Sequence, residues 1–374
     1  MNQQYRAIDS SLPTKPVRNS SIELLRILAA CAVVVLHYNG MGKALANTTG
    51  MCHELLALLE CLCVCAVALF IMISGYFLCK NDKRTWDKPV YLLVQLSVIV
   101  FFSYILSTLI GGGKFDLITA IHSIVPPKNY FVLLYVTLYI VSPFINLILN
   151  HLTSRGRTLF LMVLLALFAF YPTIIDSYQI LIKGQPMGVS TVGAWGQQHG
   201  YTIVGFVLSY VIGAWLRLNE VGKSTTKRKI LLLLVITVLC LYGWFKVEEL
   251  FLLKDVSLIE YNALSYTNPL VLLLTALLMI LFTNININSK LINALAKATF
   301  VCYILHLQII PFLNVPLYAS MGGVKLFAHL TASVVSIYIF SWIIWWVLDV
   351  ILKPINRWLA CYSIYSLERT KDKD

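Results

Sequence analysis

The chain has 374 residues, of which 59% are hydrophobic and only 12% are charged. A soluble domain is about 45–50% apolar and about 25% charged, so the composition excludes a soluble globular protein and predicts an integral membrane protein. The formal net charge of +12 could indicate nucleic-acid binding, but the positions of the basic residues argue against it.

Ten apolar runs are long enough to cross a bilayer as helices. They lie near 21–40, 54–79, 90–111, 130–150, 158–176, 200–217, 230–247, 265–283, 297–313 and 327–351. No internal repeat or second domain is visible. We therefore predict an all-α integral membrane protein, a single bundle of about ten transmembrane helices. Its predicted organisation is a cytoplasmic segment at 1–20, a transmembrane domain at 21–351 and a basic cytoplasmic tail at 352–374.

The distribution of Lys and Arg between the loops predicts the orientation. If the N-terminus is cytoplasmic, the inner segments hold roughly three times as many Lys and Arg residues as the outer ones. This bias predicts that both termini are cytoplasmic and accounts for the net positive charge without nucleic acid. We expect a multi-pass protein of the cell (plasma or inner) membrane.

Two polar side chains interrupt the first span, Arg26 near its start and His37 near its end. On a helix they lie about 16 Å apart and on the same face. Ionisable residues inside a span are costly and usually functional. Arg26 could instead extend to the interface, and His37 could face water at the helix end. Their alignment on one face favours a functional interpretation, with Arg26 toward the cytoplasm and His37 in the outer half.

Other polar residues fall inside the predicted spans. Glu23 could pair with Arg26 at spacing i,i+3, and Glu60 in the second span could share a depth with His37. The ninth span carries Tyr303 and His306 near its middle. Simpler interpretations stay open, because Glu60 could only neutralise a buried cation and His306 could be a satisfied core histidine. Ser74 and Gly75 could serve close helix packing.

The sequence predicts no metal site. Three of the nine cysteines form the motif CLCVC at 61–65, but alternate positions on a helix diverge by about 200° and cannot converge on one ion. We interpret these cysteines as small apolar residues. The sequence gives no role to the histidines in loops or at span ends, which are His53, His122, His151, His199 and His329.

Four motifs resemble, in the same order, those of the acyltransferase-3 family of membrane acyltransferases. They are IELLRILAACAVVVLHY at 22–38, VALFIMISGYF at 67–77, NYFVLLYVTLYIVSPFIN at 129–146 and ATFVCYILHLQIIPF at 298–312. The chain has Glu23 where the family commonly has Asp, and Tyr130 and Phe131 where it usually has a Trp. Some members append a soluble esterase-like domain, of which this sequence shows none. We therefore expect the membrane bundle to complete the transfer or to hand it to another protein.

The resemblance implies transfer of an acyl group, usually acetyl, from cytoplasmic acetyl-CoA to a glycan or lipid-linked sugar at the outer face. His37 would be the catalytic base or a transient acyl acceptor, and Glu60 would orient it or balance its charge. Basic side chains suit the phosphates of CoA. The implied acyl-CoA-binding residues are Arg26, Ser74, Tyr76 and Arg84, helped by Lys80 and Lys83, and the other polar core residues are Glu23, Tyr303 and His306.

Two other functional classes stay open. A transporter or flippase of a lipid-linked or acylated envelope precursor would favour repeats with paired helix breaks, yet Pro143, Pro172, Pro269 and Pro311 show no such pairing. A sensory or scaffold protein would have little need of aligned buried polar groups. Expected partners are acyl-CoA, a glycan or lipid-linked sugar acceptor and the bilayer, and a second copy of the chain or envelope-biosynthesis proteins are further candidates. We expect no permanently bound cofactor.

Overall fold

The computed structural model describes residues 19–125, 128–185, 190–193, 196, 198–223, 225–252 and 258–366. Most of the predicted segment at 1–20 and residues 367–374 of the predicted tail therefore lie outside the described residues.

Within these ranges the chain forms fifteen α-helices and a two-stranded sheet. They are α1 (Ser20–Asn39), α2 (Gly50–Cys63), α3 (Ala66–Leu78), β1 (Lys83–Thr85), α4 (Asp87–Ile110), α5 (Leu117–Ile124), α6 (Tyr130–His151), α7 (Ser154–Leu165), α8 (Tyr171–Lys183), α9 (Ile203–Leu218), α10 (Lys227–Phe251), α11 (Pro269–Thr283), α12 (Lys290–Leu295), α13 (Thr299–Ile309), α14 (Val315–Met321), α15 (Gly323–Leu359) and β2 (Ser363–Ser366).

Nine stretches of the described chain are long and apolar enough to cross a membrane, and α9 is apolar but shorter, at 16 residues. The pairs α2–α3, α7–α8 and α12–α13 each act as one stretch. These helices confirm an all-α membrane protein. The count of ten crossings and the orientation with both termini cytoplasmic stay predictions.

The helix α1 begins at Ser20 because the side chain of Asn19 caps it, accepting a hydrogen bond from the backbone N–H of Ser21 at 3.0 Å. The Ser21 hydroxyl donates to the carbonyl of Ile285 at 2.6 Å and accepts from the backbone N–H of Ile287 at 3.0 Å. These bonds attach the start of α1 to the loop before α12. From there α1 packs against α2, α3, α13 and α15, which places it inside the bundle.

The helices α3 and α9 cross with their backbones in direct contact. A Cβ atom added to Gly75 would lie 2.1 Å from the carbonyl oxygen of Tyr210, and one added to Gly213 would lie 2.1 Å from that of Met72. Neither distance is sterically possible, so glycine is required on both helices. Small residues allow such close crossings in membranes, and this confirms the interpretation of Gly75 as a packing residue.

The helix α10 extends to Phe251, beyond the predicted end at 247, through a charged stretch that hydropathy alone excludes from a span. Lys246 pairs with Glu54 of α2 at 3.1 Å and also with Glu249. His53 of α2 bonds to Glu249 at 2.9 Å. These contacts balance the charges and join the ends of α10 and α2.

The predicted tail at 352–374 is partly regular structure. Its first residues complete α15, which is 37 residues long. Next, β2 pairs antiparallel with β1 of the α3–α4 connection, and Tyr365 lies opposite Arg84. This pairing brings the end of the described chain against the basic loop that follows α3.

Candidate active site

Two cavities lie against α1, about three turns apart. The first, of about 220 Å³, is lined by Arg26 and Ser74 among others, and we name it the Arg26 cavity. The second, of about 190 Å³, is lined by His37 and Glu60 among others, and we name it the His37 cavity. The structure therefore brings these four predicted residues together in two pairs.

The Arg26 cavity is basic. Arg26 donates from Nη1 to Oε1 of Glu23 at 3.0 Å, which confirms the predicted i,i+3 pair. The hydroxyl groups of Ser74 and Tyr135 are hydrogen-bonded to each other at 3.0 Å. A second cation, Lys297, comes from the turn before α13. Its charge adds to that of Arg26, whose own charge is balanced by Glu23.

The predicted donor-binding residue Arg84 does not line the Arg26 cavity and is 0% exposed. Its Nε donates to the carbonyl of Tyr139 at 2.9 Å, and its Nη2 donates to Oγ of Ser142 at 2.7 Å. Its Nη1 donates to the carbonyls of Asn81 and Lys83. This placement contradicts the prediction that Arg84 meets the acyl donor. The guanidinium instead holds the α3–α4 connection against α6.

Tyr76 is also absent from the residues that line the Arg26 cavity. Its hydroxyl accepts a hydrogen bond from Nη1 of Arg217 at 3.2 Å, and that guanidinium lies 5.1 Å from the centre of the tyrosine ring. Tyr76 therefore joins α3 to the end of α9, apart from the Arg26–Ser74 pair.

In the His37 cavity, the backbone fixes the tautomer of His37. Its Nδ1 lies 2.9 Å from the carbonyl oxygen of Val33. A carbonyl oxygen can only accept, so Nδ1 carries a proton, and Nε2 of the neutral ring keeps a lone pair. This is the arrangement that a general base requires.

Glu60 lines the same cavity as His37, as their shared predicted depth implies. The carboxyl group is 5% exposed and accepts from Nδ2 of Asn39 at 2.8 Å. The same Asn39 nitrogen donates to the carbonyl of Leu56 at 3.3 Å. Asn39 and His37 both belong to α1, so one helix positions the histidine and the partner of Glu60.

Tyr303 and His306 of α13 lie between the two cavities. Tyr303 lines the Arg26 cavity, and its ring centre is 5.8 Å from that of His306. The ring centres of His306 and His37 are 4.5 Å apart in an edge-to-face contact. A line of three polar rings therefore runs from the Arg26 cavity to the His37 cavity.

Three further ring side chains line the His37 cavity, those of His199, Tyr201 and Tyr266. They come from the turns before α9 and α11. Nε2 of His199 lies 3.9 Å from a carboxylate oxygen of Glu260. Burial lowers the pKa of His199, and the nearby charge of Glu260 opposes that shift. The sequence assigned His199 no role, and its one available signal was a loop position on the same predicted side of the membrane as His37.

In the described part of the chain, no group of three or more His, Cys, Asp or Glu side chains is arranged to hold a metal ion.

Comparison with known proteins agrees with the resemblance of the motifs. A family model described as an acyltransferase domain, that of acyltransferase-3, matches residues 19–346. Among curated proteins and solved structures, nothing matches the chain. The matched region includes every residue that lines the two cavities. Because the match spans most of the chain, the protein belongs to the acyltransferase-3 family of membrane acyltransferases.

Proposed function

We propose that the protein is an O-acyltransferase of the cell membrane. It moves an acetyl group from cytoplasmic acetyl-CoA to a hydroxyl of an exported or lipid-linked glycan at the outer face. The observation that supports this proposal is the pair of cavities along α1. One cavity is basic, the other contains a histidine whose neutral ring has a lone pair on Nε2, and the polar rings of α13 lie between them.

The phosphates of the donor bind at the Arg26 cavity. CoA carries phosphates, and Arg26 and Lys297 are the cations that this cavity offers to them. Hydrogen bonds from guanidinium and ammonium groups to phosphate are charge-assisted and strong. Ser74 adds a hydroxyl group for hydrogen bonding. From there the thioester arm extends past Tyr303 toward His37.

The reaction takes place at Nε2 of His37. This nitrogen removes the proton of the acceptor hydroxyl while the hydroxyl oxygen attacks the thioester carbonyl carbon. The carbon–sulfur bond breaks, and the departing CoA thiolate receives the proton from His37. The bond from Nδ1 to Val33 keeps the ring in the required tautomer throughout. Glu60 accepts a hydrogen bond from the acceptor and holds it beside the ring. In a two-step version, Nε2 itself carries the acetyl group.

The test uses membrane vesicles supplied with labelled acetyl-CoA and measures label bound covalently to glycan. We expect His37→Ala to reduce the rate by about 100-fold or more, the loss typical of a missing general base. Arg26→Ala should raise the KM for acetyl-CoA by about tenfold, since a charge-assisted hydrogen bond is lost.

The matched controls are His122→Ala and Arg155→Ala, because both residues are exposed and lie away from the cavities. Each should keep the wild-type rate and the same amount of protein in the membrane. Wild-type labelling by His37→Ala would overturn the mechanism. Transport of glycan without any covalent label would instead indicate a transporter or flippase.

A further inference from the structure

We propose that the acceptor group in the His37 cavity is an uncharged sugar ring, which packs against Tyr201 and Tyr266. This inference rests on the proposed function and specifies its acceptor. It excludes acidic sugar units, such as uronic acids, at the position that is acylated.

The two cavities differ in the charge of the side chains that line them. Two cations line the Arg26 cavity, whereas none of the described residues that line the His37 cavity is Lys or Arg. An anion that leaves water without a cationic partner is strongly destabilised. The phosphates of the donor therefore match one cavity, and an uncharged group matches the other.

The other titratable groups of the His37 cavity support the same conclusion. Burial lowers the pKa of His199 and so favours its neutral form. The neutral form of His37 is the one that serves as a base. Glu60 is the acidic side chain that lines this cavity in the described part of the chain, and it offers no positive charge to an anion. None of these groups supplies the positive charge that an acidic sugar would need.

Two tyrosine rings form part of the cavity wall. The ring centres of Tyr201 and Tyr266 are 4.7 Å apart, and their hydroxyl groups are 3.3 Å apart. The ring of Tyr130 packs against Tyr201 at 4.8 Å and supports it. The faces of aromatic rings are negative, so they attract the weakly positive C–H groups on the face of a sugar ring.

Size and polarity complete the match. The cavity volume of about 190 Å³ is several times the roughly 30 Å³ that one water molecule occupies in the liquid, so the cavity has room for a sugar ring. His37 and Glu60 share this cavity with the two tyrosines. They offer hydrogen-bonding groups to hydroxyls, while the tyrosines offer an apolar surface. This combination fits a molecule with hydroxyls at its edge and C–H groups on its face.

The first experiment identifies the labelled sugar. Membranes from the cells that make the protein are supplied with labelled acetyl-CoA, and the labelled glycan is cleaved under conditions that keep the ester. Anion exchange then separates uncharged from acidic units. We expect the label on an uncharged sugar. Label on an acidic sugar would overturn this inference but leave the proposed function standing, and absence of label from all glycans would overturn both.

The second experiment tests the aromatic surface with Tyr201→Leu and Tyr266→Leu. We expect the KM for the glycan acceptor to rise about three- to tenfold, the amount that one aromatic contact contributes, with the KM for acetyl-CoA unchanged. Tyr201→Phe and Tyr266→Phe keep the rings and should stay near the wild-type value. Tyr178→Leu, an exposed tyrosine on α8, is the matched control. Equal effects of Leu and Phe would contradict a role for the rings.

Discussion

The imidazole of His306 is buried with one of its two nitrogens unsatisfied. Nδ1 donates to the carbonyl of Cys302 at 3.0 Å, but Nε2 has no hydrogen-bond partner among the described residues. The side chain is 0% exposed. An unsatisfied buried acceptor costs about 1–3 kcal/mol of stability. A phenylalanine would avoid this cost, so the histidine indicates a use for the nitrogen beside His37.

The variant His306→Phe should separate stability from activity. The ring still packs against His37, and removal of the unsatisfied nitrogen should leave the free energy of unfolding unchanged or raise it by about 1 kcal/mol. Acetyl transfer should fall about 10- to 100-fold, since a small displacement of a catalytic group costs that much. Thermal unfolding of the purified protein and the labelled-acetyl assay give the two values.

The exposed His151 provides the control variant, His151→Phe, which should change neither value. If His306→Phe transfers acetyl at the wild-type rate, His306 is a packing residue and has no part in positioning His37.

Residues of the site differ in how far the sequence could identify them. Arg26 and His37 stand out because each interrupts an apolar run, and their spacing places them on one face. His199 lies in a loop and Lys297 lies at the edge of an apolar run, where no pattern distinguishes a cavity residue from any other. Arg84 was assigned wrongly, because a basic loop looks the same whether its guanidinium faces a ligand or the interior. Two of its acceptors, Tyr139 and Ser142, are on α6, more than fifty residues away in sequence.

At the scale of elements, the crossing of α3 with α9 fixes the position of Ser74. That residue lies next to Gly75, whose backbone contacts α9, and Ser74 itself lines the Arg26 cavity. Any separation of α3 from α9 therefore also shifts one wall of that cavity.

The variants Gly75→Ala and Gly213→Ala should each lower the free energy of unfolding by about 1–3 kcal/mol, the usual range for overpacking. Each new methyl group would meet a backbone oxygen, which cannot rotate away as a side chain can. Gly243→Ala on α10 is the matched control, since its Cβ would meet nothing within 4 Å. Thermal unfolding in one detergent compares the three. Equal melting temperatures for Gly75→Ala and Gly243→Ala would contradict the tight crossing.

The limits of sequence-based prediction at this scale have physical causes. Apolar runs located the spans, because burial in lipid requires them. Hydropathy ended α10 too early, because it cannot detect that Lys246 is paired with Glu54 of another helix. The pairing of β1 with β2 joins segments about 280 residues apart, and such contacts leave no local pattern.

At the scale of the whole molecule, the two cavities lie toward opposite ends of α1, so the orientation of α1 in the membrane determines which side each cavity faces. In the proposed reaction, the donor binds through its phosphates at the Arg26 cavity, and the uncharged acceptor binds at the His37 cavity. With the predicted orientation, the Arg26 cavity faces the cytoplasm, from which the proposed donor comes, and the His37 cavity faces outward. The proposed reaction therefore requires that the orientation predicted from the loop charges be correct.

Whether the chain crosses the membrane nine or ten times depends on α9. The two cases can be distinguished, because they place residues 51 and 361 on the same side or on opposite sides of the membrane. Its 16 residues span about 24 Å, less than the hydrocarbon core of about 30 Å. If α9 crosses, residue 51 and residue 361 are separated by an odd number of crossings and lie on opposite sides. A membrane-impermeant thiol reagent should then label Met51→Cys in intact cells, and Cys361 only after permeabilisation. Both positions are exposed, and Cys52→Ala removes the neighbouring thiol. Labelling of both in intact cells would mean nine crossings and would place the tail outside.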